Sequence, residues 1–108
     1  LYMSRGTTAA EGIRKLAGLR MALELYRQEH KGFPAAYERV LEAGNLEAVP
    51  ELKLKWHFKT AKVRTVPSFK INDTGGWAYV GNSADPQFGL VYIDCSHKDE
   101  KARPWSEF

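Results

Sequence analysis

The sequence predicts an α+β domain, with its helices at the front and a small antiparallel β-sheet behind them. Three observations carry this. Residues 8–31 repeat apolar side chains at helical spacing, the pattern changes to alternation from Leu52 onward, and two β-rich runs, WAYVG and GLVYIDC, lie in the C-terminal third. The 108 residues are 44% apolar and 12% aromatic, a composition that folds, and their length suits one domain spanning 1–108.

The long helix is the firmest element. Thr8-Ala9-Ala10-Glu11 fits a capping box, with the Thr8 hydroxyl and the Glu11 carboxylate satisfying first-turn amides reciprocally. Leu16, Leu19, Leu23 and Tyr26 then recur on one face, extended by Ile13, and are expected to meet the sheet. Gly12 and Gly18 each cost about 1 kcal/mol relative to alanine. They mark either neutral positions or close approaches. Met21 and Leu25 form a second apolar pair on a rotated face, which widens the core-facing arc or meets a partner subunit. Gly32 is expected to take the left-handed conformation that ends the helix, and Pro34 cannot continue it. Pro34 is then expected to open a short helix with Tyr37, Val40 and Leu41 on one face and Gly44 as its stop.

From Leu52 the run LKLKWHFK places Leu52, Leu54, Trp56 and Phe58 on one side of a predicted strand. Lys53, Lys55, His57 and Lys59 fall on the other, so His57 is expected at the surface. KVRTV repeats the pattern weakly and ends at Pro67, and Asn72 to Gly76 is a turn cluster. WAYVG and GLVYIDC, separated by NSADPQF, are expected to pair antiparallel across an open loop. Trp77, Tyr79, Tyr92 and Trp105 are expected to fill the sheet–helix core, with Trp105 and Phe108 folding back from a polar tail.

Charge and cysteine usage narrow the function. The net charge is only +3, and acidic residues are interspersed among the basic ones, so bulk charge does not suggest nucleic-acid binding. The strip Lys53, Lys55, Lys59, Lys62 and Arg64 with interleaved Trp56 and Phe58 has the residue types that bind single strands. Alternation, however, would turn its aromatics inward. Cys95 is alone, which excludes an intrachain disulfide and a cysteine-rich zinc site. Asp94, Cys95, Ser96, His97 and Asp99 crowd the DCSHKDE segment. The expected reading there is a buried cysteine at a strand end with a solvated tail after it, and His30 reads as a helix-end residue. No catalytic, cofactor-binding or metal residue is assigned, and the chain is not expected to be an enzyme.

Two segments resemble a known family. LAGLRMALELYRQEHKGFP is similar to the leucine-rich helix of type IV pilins and type II secretion pseudopilins, which runs into a glycine, an aromatic or small residue, and proline. DTGGWAYVGNSADPQFGLVYIDCSH resembles the paired strands of one pilin-like branch, and together the segments cover most of 11–97. The resemblance implies a structural subunit of an envelope filament, a secretion pseudopilus or a pilus-like assembly, facing the periplasm or the exterior. Members carry a leader removed by a prepilin peptidase, a methylated new N-terminus, and a hydrophobic helix that spans the inner membrane and later forms the filament core. The helix at 8–31 would continue that segment, which lies outside this chain. The partners implied are other pilin or pseudopilin subunits, with Met21, Leu25, Arg14 and Glu29 as the expected contacts. Helical polymers use heterologous contacts, one patch meeting a different patch. The lone Cys95 departs from the C-terminal disulfide loop common in type IV pilins. Calcium is a cofactor of some members, but Asp73, Asp85, Asp94 and Asp99 are scattered without ligand spacing. The competing expectation is a stand-alone binding module that takes DNA or a surface ligand through the basic strip at 53–64.

Overall fold

A computed structural model describes residues 6–108. Helix α1 spans Ala9–His30 and opens with the complete capping box: the Glu11 amide donates to the Thr8 hydroxyl at 3.2 Å, and the Thr8 amide donates to Glu11 Oε1 at 2.8 Å. Leu16, Leu19 and Leu23 are buried and Tyr26 packs partly buried beside them. The helix ends one residue earlier than expected. Lys31, not Gly32, takes the left-handed conformation at φ 61°, and both the Lys31 and Gly32 amides reach Arg27 O. Pro34 does not open the short helix either. Helix α2 covers Glu38–Glu42, and the chain from Phe33 to Tyr37 is irregular because it docks on the sheet: Tyr79 donates its hydroxyl to Pro34 O at 2.6 Å. Gly44, at φ 82°, comes after α2 as its stop.

The sheet has three strands, β1 (Val63–Val66), β2 (Trp77–Val80) and β3 (Val91–Ile93), in the order β1-β2-β3. It is mixed, not antiparallel. β2 and β3 pair antiparallel, with Trp77 opposite Ile93, but β1 runs parallel to β2, with Val63 opposite Trp77. Short connections favour hairpins, and a parallel pair needs a crossover. Here residues 67–76 supply it. Pro67 ends β1 and the chain returns across the sheet, where the Lys70 amide donates to the Tyr92 hydroxyl and that hydroxyl donates to Lys70 O at 2.7 Å. Ile71 packs there with Val66 and Leu90 against Ala78, Val80 and Tyr92. Tyr92 therefore lies on the face away from α1, while Trp77 and Tyr79 fill the helix side as expected. Cover on both faces explains why every residue of β2 and β3 is buried.

The expected strand at 52–59 does not form, and only an isolated bridge marks its start. Leu52 and Leu54 are buried, and Leu52 bridges to Thr60. The alternation then breaks at a turn, where the His57 amide donates to Leu54 O and Trp56 adopts φ 76°. The turn reverses the facing of residues 56–58. Trp56 is 73% and Phe58 92% exposed, while the His57 side chain is turned inward with 9% exposure. A 3-10 turn, Trp105–Glu107, closes the chain, with Trp105 buried and Phe108 edge-on to it at 5.8 Å.

The two helical glycines separate cleanly. A Cβ at Gly12 would stand 2.6 Å from the Trp105 ring, whereas one at Gly18 would meet nothing within 4 Å. Gly18→Ala is expected to raise stability by up to about 1 kcal/mol, and Gly12→Ala to lower it by about 1–3 kcal/mol through overpacking. Urea unfolding of the two variants measures both signs.

Candidate functional site

Four side chains from three loops converge beside the end of β3. Cys95 Sγ lies 3.5 Å from His57 Nε2 and 3.4 Å from His97 Nδ1. Asp73 Oδ1 lies 3.3 Å from the same His57 nitrogen and 4.0 Å from the same His97 nitrogen. One ligand-capable atom from each residue falls within 4.8 Å of the others, the spacing of groups that can share a metal ion. Cys95 is fully buried, the His57 ring is nearly so, the His97 ring is half-buried with its centroid 5.4 Å from that of His57, and Asp73 borders solvent.

Local backbone geometry builds the cluster. His57 enters on the Trp56 turn, and a left-handed backbone is unusual for a bulky residue and marks strain. It packs over Gly75, itself at φ 78°, where a Cβ would stand 2.2 Å from His57 Cγ, so only glycine fits beneath the ring. Asp73 sits at φ 59° in a loop clasped by the buried Asp94. Asp94 Oδ1 accepts the amides of Asn72 and Asp73, and Oδ2 accepts the amide and hydroxyl of Thr74, at 2.7–3.1 Å. Cys95 and His97 come directly after β3, and the His97 amide donates to Cys95 Sγ at 3.3 Å.

The electrostatics distinguish the members. The Ser96 amide holds the Asp73 carboxyl below its ordinary value. Partial burial opposes this, while the Ser96 hydroxyl and both imidazoles add to it. Both Ser96 donors reach Asp73 at 2.9 Å. Burial pushes the Cys95 thiol up, and the amide of His97 offsets this only in part. A thiol raised by burial and closed to solvent is the opposite of an activated nucleophile. As an acceptor set, the cluster offers one sulfur, two imidazole nitrogens and one carboxylate.

Sequence reasoning puts Cys95 and His97 together but misses their companions. It leaves His57 at the surface and Asp73 in a turn without a role. The signal for Asp73 is the turn cluster with its paired glycines. His57 has none, because the break at Trp56 reverses an otherwise regular alternation. The four aspartates considered for calcium serve separate places. Asp73 joins the cluster and Asp94 clasps its loop. Asp85 accepts the Gln87 amide, and Asp99 accepts the Lys101 and Arg103 amides.

The expected assembly residues lie elsewhere. Arg14, Met21, Leu25 and Glu29 are all exposed, on the side of α1 opposite Leu16, Leu19 and Leu23. Met21 is 66% and Leu25 43% exposed, so this pair does not widen the core-facing arc. Beside them runs a shallow groove of about 500 Å³, lined by Ile13, Ala17, Arg20, Met21, Glu24 and Phe108. The basic strip differs from its expectation too. Trp56 and Phe58 stand in solvent among the lysines, with Lys55 Nζ 5.3 Å from the Trp56 ring centre. No helix among the described residues is long and apolar enough to cross a membrane. Protein-family models, curated proteins and solved structures give no match to the chain.

The clasp at Asp94 is testable directly. Asp94→Asn keeps the shape but replaces a charged acceptor of four hydrogen bonds with an amide. It is expected to cost about 1.5–3 kcal/mol, read from the midpoint of a urea transition.

Proposed function

We propose that this chain is the globular head of a structural subunit in an envelope filament, either a type II secretion pseudopilus or a type IV pilus-like assembly. The observation that supports it is the two-sided character of α1. One side is committed to the sheet, and the other leaves Met21, Leu25 and Ile13 exposed beside the apolar groove, flanked by Arg14 and Glu29. A 22-residue helix that is capped at both ends suits the stem of an elongated head, whose extents are 48 × 26 × 20 Å. The role is architectural rather than catalytic: the exposed face of one head meets a different patch on the next, in the heterologous manner of helical polymers. Met21 and Leu25 give the apolar area, and the flanking charges set register.

Met21→Glu with Leu25→Glu in the protein expressed from its own gene tests this. Surface substitutions of this kind change stability by less than about 0.5 kcal/mol. The expected outcome is an unchanged Tm of the isolated domain with loss of sedimentable filaments or of subunit cross-links in cells. Wild-type assembly by the double variant would overturn the reading.

A second reading has one observation of its own, the exposure of Trp56 and Phe58 among Lys53, Lys55 and Lys59. Stacking aromatics beside phosphate-binding cations are the elements of a single-strand binder, contributing about 1–3 kcal/mol per stacked base. On this reading, fluorescence anisotropy with a labelled oligonucleotide shows binding that weakens steeply with salt and falls at least about tenfold in Trp56→Ala. Absence of binding at low salt removes it.

A further inference from the structure

We propose that His57, Asp73, Cys95 and His97 form a four-coordinate zinc site that fastens three loops of the domain together. The inference is independent of the filament reading, since none of these residues lies on α1.

Geometry carries it. Zinc binds sulfur at about 2.3 Å and imidazole nitrogen at about 2.0–2.1 Å, so a tetrahedral angle sets sulfur and nitrogen about 3.5–3.6 Å apart. The same angle sets nitrogen and carboxylate oxygen about 3.3–3.4 Å apart. Cys95 Sγ to the two imidazole nitrogens measures 3.5 and 3.4 Å, and His57 Nε2 to Asp73 Oδ1 measures 3.3 Å. Three of the six ligand-to-ligand edges therefore lie within about 0.2 Å of tetrahedral zinc spacing. A fourth, His97 Nδ1 to Asp73 Oδ1, is 4.0 Å and lies on the solvent side, where both side chains have room to close.

The chemistry of the donors selects the ion. A thiolate and two imidazoles suit zinc and its neighbours in the transition series. Calcium takes about six to eight oxygens, and this cluster offers a single carboxylate. Four protein ligands fill a tetrahedron, which is the closed pattern of a structural site rather than an open catalytic one. The surroundings are built as outer shells of metal sites are. Ser96 grips Asp73 through both its amide and its hydroxyl, the His97 amide points at Cys95 Sγ, and Asp94 clasps the loop that presents Asp73. The strained Trp56 turn and the bare Gly75 give His57 a seat that a plain surface histidine would not need. Joining residues 57, 73, 95 and 97 closes long loops in a chain whose single cysteine can form no internal disulfide.

Zinc added to the tag-free, metal-stripped 108-residue chain tests the site. Equilibrium dialysis is expected to give one zinc per chain, with Tm rising on the order of 10 °C at free zinc a hundredfold above Kd. Cobalt in place of zinc is expected to give the intense visible bands of a tetrahedral ion and a thiolate-to-cobalt charge-transfer band in the near ultraviolet. His97→Gln and Asp73→Asn alter side chains at the solvent border, so their folds are retained, and each is expected to weaken zinc by about 100-fold or more. Cys95→Ser is expected to abolish the charge-transfer band. Should that buried substitution prevent folding, the two border variants decide alone. His30→Gln, at the far end of α1, is expected to bind as wild type. Substoichiometric zinc, an octahedral cobalt spectrum without thiolate absorption, or wild-type affinity in both border variants would each overturn the proposal.

Discussion

The buried carboxylate of Asp94 is the constraint on which the rest of the molecule depends. It stands at the end of β3, 1% exposed, and accepts four hydrogen bonds from three consecutive residues of the crossover. Main-chain bonds tighten the same junction, from the Gly75 amide to Asp94 O and from the Asp94 amide to Gly76 O. A carboxylate out of water is costly unless its lone pairs are used, and this one is fully employed. Its bonds bring the crossover back to the start of β2 and so make the parallel pairing of β1 and β2 possible. They also leave Asp73 and Gly75 in left-handed backbone, aimed at the cluster beside Cys95.

The sheet so formed is short, with only four, four and three residues per strand, and would be marginal with one face in water. It is closed on both sides instead. Helix α1 covers Trp77, Tyr79, Val91 and Ile93, and the crossover covers Ala78, Val80 and Tyr92. Large aromatics fill the layers, and their buried polar tips have main-chain acceptors. Tyr37 donates to Leu19 O, Tyr79 to Pro34 O and Trp77 to Pro50 O, at 2.6–2.9 Å. Burial pushes both the Tyr37 and Tyr79 phenols upward, so they remain neutral donors. These bonds fasten irregular chain to the regular elements, which is how a domain with little secondary structure after α1 holds a single arrangement.

The two proposed surfaces use different parts of this frame. The exposed side of α1 is a consequence of helical geometry alone: a helix that lays one stripe on a sheet presents the other outward. The cluster of His57, Asp73, Cys95 and His97 is a product of loop packing, and it sits where three irregular segments meet. The proposed assembly face and the proposed zinc site make compatible demands, because contacts made through a rigid helix gain from loops that do not move.

The division between what is legible in the sequence and what is not tracks the range of the interactions. The capping box at Thr8 and Glu11, the stripe of Leu16, Leu19 and Leu23, and the strands at 77–80 and 91–93 depend on residues close in the chain. Each can be read from periodicity and local chemistry. Which residue ends α1 is settled by docking, since Lys31 and not Gly32 turns the chain toward Phe33 and the sheet. The parallel pairing of β1, the outward Trp56 and the inward His57 are decided by contacts between segments far apart in sequence, with Asp94 and Gly75 as the points of attachment. Alternation is a local pattern, and a single left-handed residue at Trp56 reverses it without leaving a mark in the composition. Local chemistry settles the helix, its buried stripe and the α+β class. The meeting of His57, Asp73, Cys95 and His97 at one point is set by long-range packing, because it depends on a crossover that no local preference encodes.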